Sequence, residues 1–437
     1  MNIKKIAIAI IIFVILINNY TTTFAKTQPR LYSDGIYFAN TTGQVLVSKN
    51  EDKKYQPGGI AKMIASLVAL EKCNLADQVT VTEAAITKSE TNASLKIGEI
   101  LTVEDLVYCA IVANASDATK ALAIHVSGSE AAFVKLMNEK ARALGCENTL
   151  FTNSTGSNDD NQYTTPSDLF KLTIASINNT NLNTALRTSC RSIKKTNMSD
   201  ERLFYSYNYL ICAYYDNRYY YSNAQGGKSG YTPEGGYALA AFSTVGNTQL
   251  IAITMGGDDD KGVSTFNDTI SLFKYGFNNY KSVSIATSGD ILYEAKIKHA
   301  SPSEDVILCA QHSLKALVKN DDKEYEFEKV FDIPDDLTPP VEKGQVLGNV
   351  TYLYDGKIVG TIPLIASEAL FATSTVYIVN FFKFLWSFTI TKIILIILGL
   401  ILIIGIFFFL SILTGAVRIK KKPDKKKKLR FKYTKKE

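Results

Sequence analysis

The chain has 437 residues, of which 46% are hydrophobic and 21% are charged, and its formal net charge is +6. This composition excludes a disordered chain, a collagen-like or coiled-coil protein and a small disulfide scaffold, and the length predicts two or three domains. The positive charge is local, because residues 418–437 contain twelve Lys/Arg and two Asp/Glu and the other 417 residues carry a net charge of −4. We therefore expect no nucleic acid among the partners.

The N-terminus has the pattern of an export signal. Lys4 and Lys5 precede an uninterrupted apolar run over 6–17, and a polar stretch follows that closes at Thr23-Phe24-Ala25, with small residues at the positions a signal peptidase requires. This pattern predicts a signal peptide over 1–25. An uncleaved N-terminal membrane anchor is the alternative, although the apolar run is short for a membrane span.

The next region mixes strand and helix patterns. Two short apolar stretches around a turn at Thr42-Gly43 predict a hairpin. Apolar periodicity predicts helices that start at Pro57 and that cover 103–127, 130–144, 165–177 and 263–277. Strand patterns return at 237–244 and 249–255. The order predicts an α+β domain over 26–278, in which an antiparallel sheet of early and late strands is flanked by helices.

After residue 278 the pattern changes to short strands with turn residues between them. The predicted strands cover 291–298, 306–310, 325–331, 345–354 and 357–363. They predict a separate small all-β domain over 279–366.

The C-terminal end has the pattern of a membrane anchor. Residues 367–392 form an aromatic juxtamembrane segment, and the 25 residues of 393–417 contain no charge. As a helix this run extends about 37 Å, enough to cross a bilayer with some tilt. Basic residues beside a span stay in the cytoplasm, so 418–437 is predicted to be a cytoplasmic tail. We expect a single-pass protein of the cell membrane whose domains lie outside the cytoplasm.

Cysteine and histidine are sparse and scattered. The six cysteines lie singly, without a Cys-x-x-Cys pair, and disulfide pairing cannot be read from their positions. The histidines are His125, His299 and His312. We interpret them as structural and expect no metal, no cofactor and no Ser-His-Asp triad.

Three short segments carry the candidate chemistry. They read Pro57-Gly58-Gly59-Ile60-Ala61-Lys62-Met63, Ala113-Asn114-Ala115-Ser116-Asp117-Ala118 and Gly227-Lys228-Ser229-Gly230-Tyr231-Thr232. In order and spacing they resemble the three active-site motifs of the serine D-Ala-D-Ala carboxypeptidases, the low-molecular-mass penicillin-binding proteins. Residues 151–156 resemble the loop of that family that precedes a helix, and 341–345 and 360–364 resemble its C-terminal β domain. The resemblance implies a DD-peptidase/β-lactamase-like fold and peptidoglycan stem peptides as substrate.

The first motif departs from the family pattern, which is Ser-x-x-Lys. Residues three apart share a helix face, so the lysine amine can take the proton of the serine as it attacks a carbonyl. Lys62 occupies the lysine position, but Gly59 stands at the nucleophile position. Glycine has no side chain with which to form an acyl-enzyme.

The other two motifs differ in how well they match. The family's Ser-x-Asn reads Asn114-Ala115-Ser116, with the two polar identities exchanged. The third motif is intact as Lys228-Ser229-Gly230. The resemblance assigns the C-terminal carboxylate of the substrate to Lys228 and Ser229, and an ammonium beside a hydroxyl suits that anion.

These observations leave three functional hypotheses. The leading one is a family member that binds stem peptide but has lost acyl transfer. The second is a working carboxypeptidase, with a misaligned motif or a water activated by Lys62. The third is a cell-wall scaffold that acts through its β domain. The tyrosine-rich run over 204–221 is expected to form a wall of the cleft or to pack on the core.

Overall fold

The computed structural model describes residues 28–87, 91–257, 262–322, 324–387 and 389–413. The predicted signal peptide over 1–25 and the predicted basic tail over 418–437 lie outside these residues. The chain divides into two compact units. Unit 1 contains residues up to 291 together with 309–333 and 348–364, and unit 2 contains 292–308, 334–347 and the residues from 365 onwards. The predicted domain boundaries at 278/279 and 366/367 remain predictions.

Eighteen strands are present in the described residues. They are β1 Gly35–Asn40, β2 Val45–Lys49, β3 Gln78–Thr80, β4 Ile100–Thr102, β5 Cys190–Ile193, β6 Arg202–Tyr205, β7 Ala224–Thr232, β8 Gly236–Val245, β9 Thr248–Gly257, β10 Tyr280–Ala286, β11 Ile291–Lys296, β12 Ala300–Ser301, β13 Asp305–Ala310, β14 Leu314–Lys319, β15 Glu328–Asp332, β16 Val346–Tyr354, β17 Lys357–Ala366 and β18 Phe371–Ala372.

The described residues also form nine α-helices. They are α1 Ala61–Lys72, α2 Val103–Ile111, α3 Ser116–Ser127, α4 Glu130–Ala143, α5 Pro166–Asn178, α6 Thr180–Leu186, α7 Val263–Asn279, α8 Ser374–Ser387 and α9 Thr389–Leu413.

The main sheet of unit 1 joins early and late strands, as the sequence predicts. Its order is β2-β1-β9-β8-β7, and every pair is antiparallel. Strand β9 pairs Ile253 with Tyr37 of β1, and β7 pairs Lys228 with Ala240 of β8. The α+β class is confirmed.

Both faces of this sheet are buried. Ile251 and Ile253 face a core built with α1, while Leu250 and Ala252 face a second core that contains Phe273 of α7. A strand covered on both sides has an almost continuous apolar sequence, which explains why β8 and β9 show no clear alternation. Helix α1 is buried along most of its length. The side chains of its first turn, including Lys62, are therefore held in a fixed position.

The predicted helix over 103–127 is wrong in one respect, because it consists of two helices. Helix α2 ends at Ile111, and α3 begins at Ser116 after a break at which Asn114 has φ +54°. Asparagine tolerates this left-handed conformation better than most residues. The apolar periodicity continues across the break, so the pattern alone does not reveal it. The break lies within the second motif.

Helix α5 begins as predicted. Thr165 is its N-cap and its hydroxyl oxygen accepts the N–H of Asp168 at 3.2 Å, and Pro166 occupies the first turn. The missing N–H of proline costs nothing there, because the first N–H groups of a helix have no partner within the helix.

The region after α7 is all-β up to residue 372, as the sequence predicts. In unit 1, β10 pairs antiparallel with β14 and β15 with β16. In unit 2, β12 pairs with β18. Strands β10, β12, β14 and β18 are absent from the sequence prediction, because they are short or lack a distinct apolar run.

The chain ends in an apolar helix. Within α9, the 20 residues Lys392–Ser411 have a mean hydropathy of 3.5 and none of them is buried, so this helix is long and apolar enough to cross a membrane. The predicted span over 393–417 overlaps it, and 414–417 lie outside the described residues.

Candidate active site

The first motif forms the entrance to α1. A 3₁₀ turn covers Gly58–Ile60 and leads directly into the helix, with Pro57 before it. A Cβ on Gly58 would lie 2.7 Å from the backbone nitrogen of Tyr231, and a Cβ on Gly230 would lie 2.7 Å from the backbone nitrogen of Gly59. The backbone of β7 therefore lies directly against the turn, and only glycine allows this approach.

A loop from the other side closes on the same turn. A Cβ on Gly156 would lie 1.7 Å from the carbonyl oxygen of Gly58. The neighbouring carbonyl of Thr155 accepts a hydrogen bond from Lys62 Nζ at 2.7 Å. This loop belongs to the segment 151–156 that resembles the family, and it orients the lysine side chain.

The side chain of Asn114 lies against the nucleophile position. A Cβ on Gly59 would lie 3.1 Å from Asn114 Nδ2 and only 2.6 Å from its Oδ1, which is closer than real Cβ atoms come to other heavy atoms, so the amide would have to shift. The amide of Asn114 thus fills the space that a residue at position 59 would use. The left-handed backbone of Asn114, at the break between α2 and α3, aims the amide there.

Lys228 fixes that amide in place. Its Nζ donates to Asn114 Oδ1 at 2.7 Å and to the carbonyl of Ser229 at 3.0 Å. The lysine is only 2% exposed. The first, second and third motifs therefore meet at the Gly59–Asn114–Lys228 contact.

The two buried amines have unusual electrostatics. Lys62 is 3% exposed, and burial lowers its pKa to about 7, although the negative charge of Asp117 partly opposes this. Burial also holds the pKa of Lys228 well below its usual range, and the charge of Lys62 adds to this effect. The Asp117 carboxylate accepts the N–H groups of Ala93 and Leu95, so its hydrogen bonds position a loop. At neutral pH the pair is easier to deprotonate than exposed lysines.

The serines of the second and third motifs have different surroundings. Ser229 Oγ donates to the carbonyl of Tyr207 at 3.0 Å. Ser116 is buried in the first turn of α3, where its N–H donates to the Thr91 carbonyl at 3.0 Å. Gly59, Lys62, Asn114 and Ser116 nevertheless line one cavity of about 240 Å³.

A second cavity lies beside the first. It has a volume of about 210 Å³ and its lining includes Ser229, Gly230, Tyr207 and Tyr209. Asn114, Thr91 and Tyr231 line both cavities. The tyrosine-rich run thus contributes a cleft wall, and Tyr209 also stacks on Phe266 with ring centroids 4.8 Å apart.

The sequence reasoning missed five residues that line the first cavity. They are Thr91, Thr155, Gly156, Ser157 and Tyr231, which belong to no candidate set. Thr155 and Tyr231 lie inside segments already singled out, so their position offered a signal. No feature of the sequence pointed to Thr91, because it lies beside the cavity only through the folding of a loop that hydrogen bonds to Asp117.

The sequence and the fold are similar to those of known proteins. The family described as D-alanyl-D-alanine carboxypeptidase matches residues 23–259, and the family described as penicillin-binding protein 5, C-terminal domain, matches 280–370. Because the first match covers more than half of the chain, this protein belongs to the D-alanyl-D-alanine carboxypeptidase family, whose members act on peptidoglycan.

Individual relatives extend over most of the chain. The D-alanyl-D-alanine carboxypeptidase DacF of Bacillus subtilis is 25% identical over 377 residues, which are 84% of this chain and 94% of DacF. DacC of Escherichia coli is 28% identical over 366 residues, which are 80% of this chain and 86% of DacC. The crystal structure of penicillin-binding protein 5 from Haemophilus influenzae has a TM-score of 0.69 at 26% identity, and the match covers 79% of this chain and 99% of that one. PBP3 from Streptococcus pneumoniae, at 19% identity and a TM-score of 0.62 over 78% of this chain and all of that one, shares the fold.

The buried Lys62 makes a pH dependence of stability testable. Its pKa is about 7 in the folded chain against 10.5 for an ordinary lysine. Between these values the unfolded chain binds more protons, so stability rises with pH, by up to about 1.4 kcal/mol per pH unit for one such group. We expect Lys62→Met to reduce the rise of the urea midpoint between pH 7 and pH 9.5, measured by circular dichroism on the full chain in detergent.

The matched control is Lys315→Met, which removes an exposed lysine. It should leave the pH dependence as in the wild type. An unchanged rise in Lys62→Met would show that the Lys62 amine is not the titrating group.

Proposed function

We propose that this chain is a membrane-anchored, extracytoplasmic member of its family that binds peptidoglycan stem peptides without forming an acyl-enzyme. The observation that carries the proposal is the contact between Gly59 and Asn114. Position 59 has no side chain, and the Asn114 amide fills the space beside it. A covalent route needs a hydroxyl or thiol at this point.

The base side of the motif persists without its nucleophile. Lys62 lies three residues after Gly59 on the same helix entrance, and its amine has a pKa of about 7. It is thus able to accept a proton at neutral pH. Because position 59 has no hydroxyl, Lys62 has no nucleophile from which to take a proton for acyl transfer.

Lys228 supports binding of a carboxylate. Its Nζ donates to two neutral oxygens, those of Asn114 and Ser229, and the charged form is disfavoured by burial. A bound carboxylate would favour the ammonium form and make a charge-assisted hydrogen bond. We infer that the C-terminal carboxylate of a stem peptide lies beside Lys228 and Ser229, in the cavity lined by Tyr207 and Tyr209.

The second candidate is an enzyme that hydrolyses D-Ala-D-Ala without an acyl intermediate. The lowered pKa of Lys62 and its position at a cavity favour it, because an amine of that kind is able to activate a water. Release of D-alanine by a chain that forms no penicillin adduct would identify it.

The loss of acyl transfer predicts how the chain reacts with a labelled penicillin. The full-length chain should show no covalent adduct on a denaturing gel. Gly59→Ser supplies the hydroxyl but places a Cβ against Asn114, so it should react at least about tenfold more slowly than Gly59→Ser/Asn114→Ser/Ser116→Asn, which restores both motifs and removes the contact.

Gly59→Ala in the same background is the control, because it adds the Cβ without a hydroxyl. A covalent adduct on the wild-type chain would overturn the proposal. If the triple variant also fails to react, the loss of activity extends beyond these three positions.

The role of Lys228 predicts a carboxylate-dependent affinity. We expect the full chain to bind diacetyl-L-Lys-D-Ala-D-Ala in calorimetry, and to bind the C-terminal amide of that peptide much more weakly. Lys228→Met should weaken binding of the acid by about 10- to 100-fold, since one hydrogen bond to a charged group is lost.

Lys315→Met should bind like the wild type, because that lysine is exposed and lies in β14, outside the three motifs. Equal affinity for the acid and the amide would contradict the assignment of Lys228. Retention of whole peptidoglycan by Lys228→Met at wild-type strength would instead favour the scaffold hypothesis.

The anchor is proposed from the exposed apolar surface of α9. A chain ended at residue 388 should leave the membrane pellet after carbonate extraction, whereas the full chain should stay in it. Retention of the shortened chain would place the anchor in the N-terminal apolar run instead.

A further inference from the structure

Three metal-ligating side chains converge at the far end of α1. A Cys73 sulfur, an Asp77 carboxylate oxygen and a His125 ring nitrogen all lie within 4.8 Å of one another. Cys73 follows the last residue of α1, Asp77 precedes β3, and His125 lies in the last turn of α3. The residues are 4 and 48 positions apart, so no short sequence motif joins them.

The backbone that carries these ligands is held in place. The Cys73 N–H donates to the Ala69 carbonyl at 3.0 Å, and the Asp77 carbonyl accepts the N–H of Val103 at 2.9 Å. The Asp77 Oδ2 accepts the N–H of Asn74 at 2.8 Å, which orients its carboxylate. Helix α3, which carries His125, packs against α1. The backbone of α1 and α3 thus places the three donor atoms near one another.

We propose that Cys73, Asp77 and His125 bind a zinc-like divalent cation. A thiolate, an imidazole and a carboxylate are the donors that Zn²⁺ uses, whereas Mg²⁺ and Ca²⁺ prefer oxygen ligands alone. Metal–ligand bonds of about 2.0–2.3 Å in a tetrahedral site place the ligand atoms about 3.3–3.6 Å from one another. The three donor atoms here lie within 4.8 Å of one another, so binding would draw them somewhat closer. A water completes the fourth position.

The charges of such a site balance. Binding displaces the thiol proton to solvent, and the thiolate and carboxylate together neutralise the two charges of the ion. His125 is exposed and Cys73 and Asp77 are partly exposed, so an ion reaches the donors from solvent without opening the fold.

The site is separate from the cleft and ties together the elements that build it. Cys73 lies eleven residues beyond Lys62, which along a helix is about 16 Å. Helix α1 carries Lys62 in its first turn and α3 carries Ser116 in its own first turn. Cys73 and His125 lie at the C-terminal ends of these two helices. A bound ion would join those ends and so stabilise the helix packing that positions Lys62 and Ser116.

Cobalt substitution tests the proposal. We expect Co²⁺ titrated into the reduced full-length chain in detergent to give one equivalent of a tetrahedral species, with visible d–d bands and a near-ultraviolet thiolate charge-transfer band that Zn²⁺ removes. Cys73→Ser should abolish the charge-transfer band, and His125→Gln should weaken binding by at least about tenfold.

The controls use residues of the same type outside the cluster. Cys190 is an exposed free cysteine, and His312 is an exposed histidine. Cys190→Ser and His312→Gln should bind Co²⁺ like the wild type. Absence of the bands, their persistence in Cys73→Ser, or equal losses in Cys190→Ser would overturn the proposal.

Thermal stability supplies a second readout. A 100-fold excess of Zn²⁺ over its dissociation constant should raise the melting temperature of the wild type by about 3–5 °C, and Mg²⁺ should leave it unchanged. His125→Gln changes an exposed side chain and is expected to fold, so it keeps the test valid if Cys73→Ser does not. A Zn²⁺ shift of the same size in His125→Gln would contradict the assigned ligands.

Discussion

The backbone of β7 lies directly against the 3₁₀ turn that opens α1, and three glycines permit this contact. Gly58 and Gly230 come together from the turn and the strand, and Gly156 closes on the turn from the opposite side. Any side chain at these positions would push the strand and the helix apart. Because the contact fixes the start of α1 and the middle of β7 together, it also sets the distance between Lys62 and Lys228. These three backbone segments also form the walls of the cavities beside the turn.

Within that frame the electrostatics of the site follow from burial. Two amines lie in the interior, and their hydrogen-bond acceptors are neutral: the Thr155 carbonyl for Lys62, and Asn114 Oδ1 and the Ser229 carbonyl for Lys228. Burying a cation that donates only to neutral oxygens is unfavourable, so both pKa values fall, and the charge of Asp117 opposes the fall only at Lys62. A site of this kind gains stability from an anionic ligand. The same property suits the recognition of a carboxylate, which is the role that the proposed function gives to Lys228.

Gly59 and Asn114 both depart from the family motifs, and the two departures depend on each other because the two residues are in contact. The family pattern pairs a serine nucleophile with a small hydroxyl residue, and here a residue without a side chain stands beside a larger amide. The amide lies in the space beside position 59, and Lys228 Nζ donates a hydrogen bond to its oxygen. Restoring the serine alone therefore requires the Asn114 amide to move away from Lys228, so the conformation at one position depends on the residue at the other.

The sequence by itself determined the local features. The hairpin, the start of α5 at Thr165 and Pro166, the apolar C-terminal helix and the three motifs all depend on residues close together in the chain, where propensity and periodicity act. The tertiary structure decided the rest. The apolar pattern continues on both sides of Asn114, so it does not predict the helix break there. The position of the Asn114 amide beside Gly59 depends on two segments that are more than fifty residues apart in the sequence. The same holds for Cys73 and His125, which no spacing rule connects, because two packed helices bring them together.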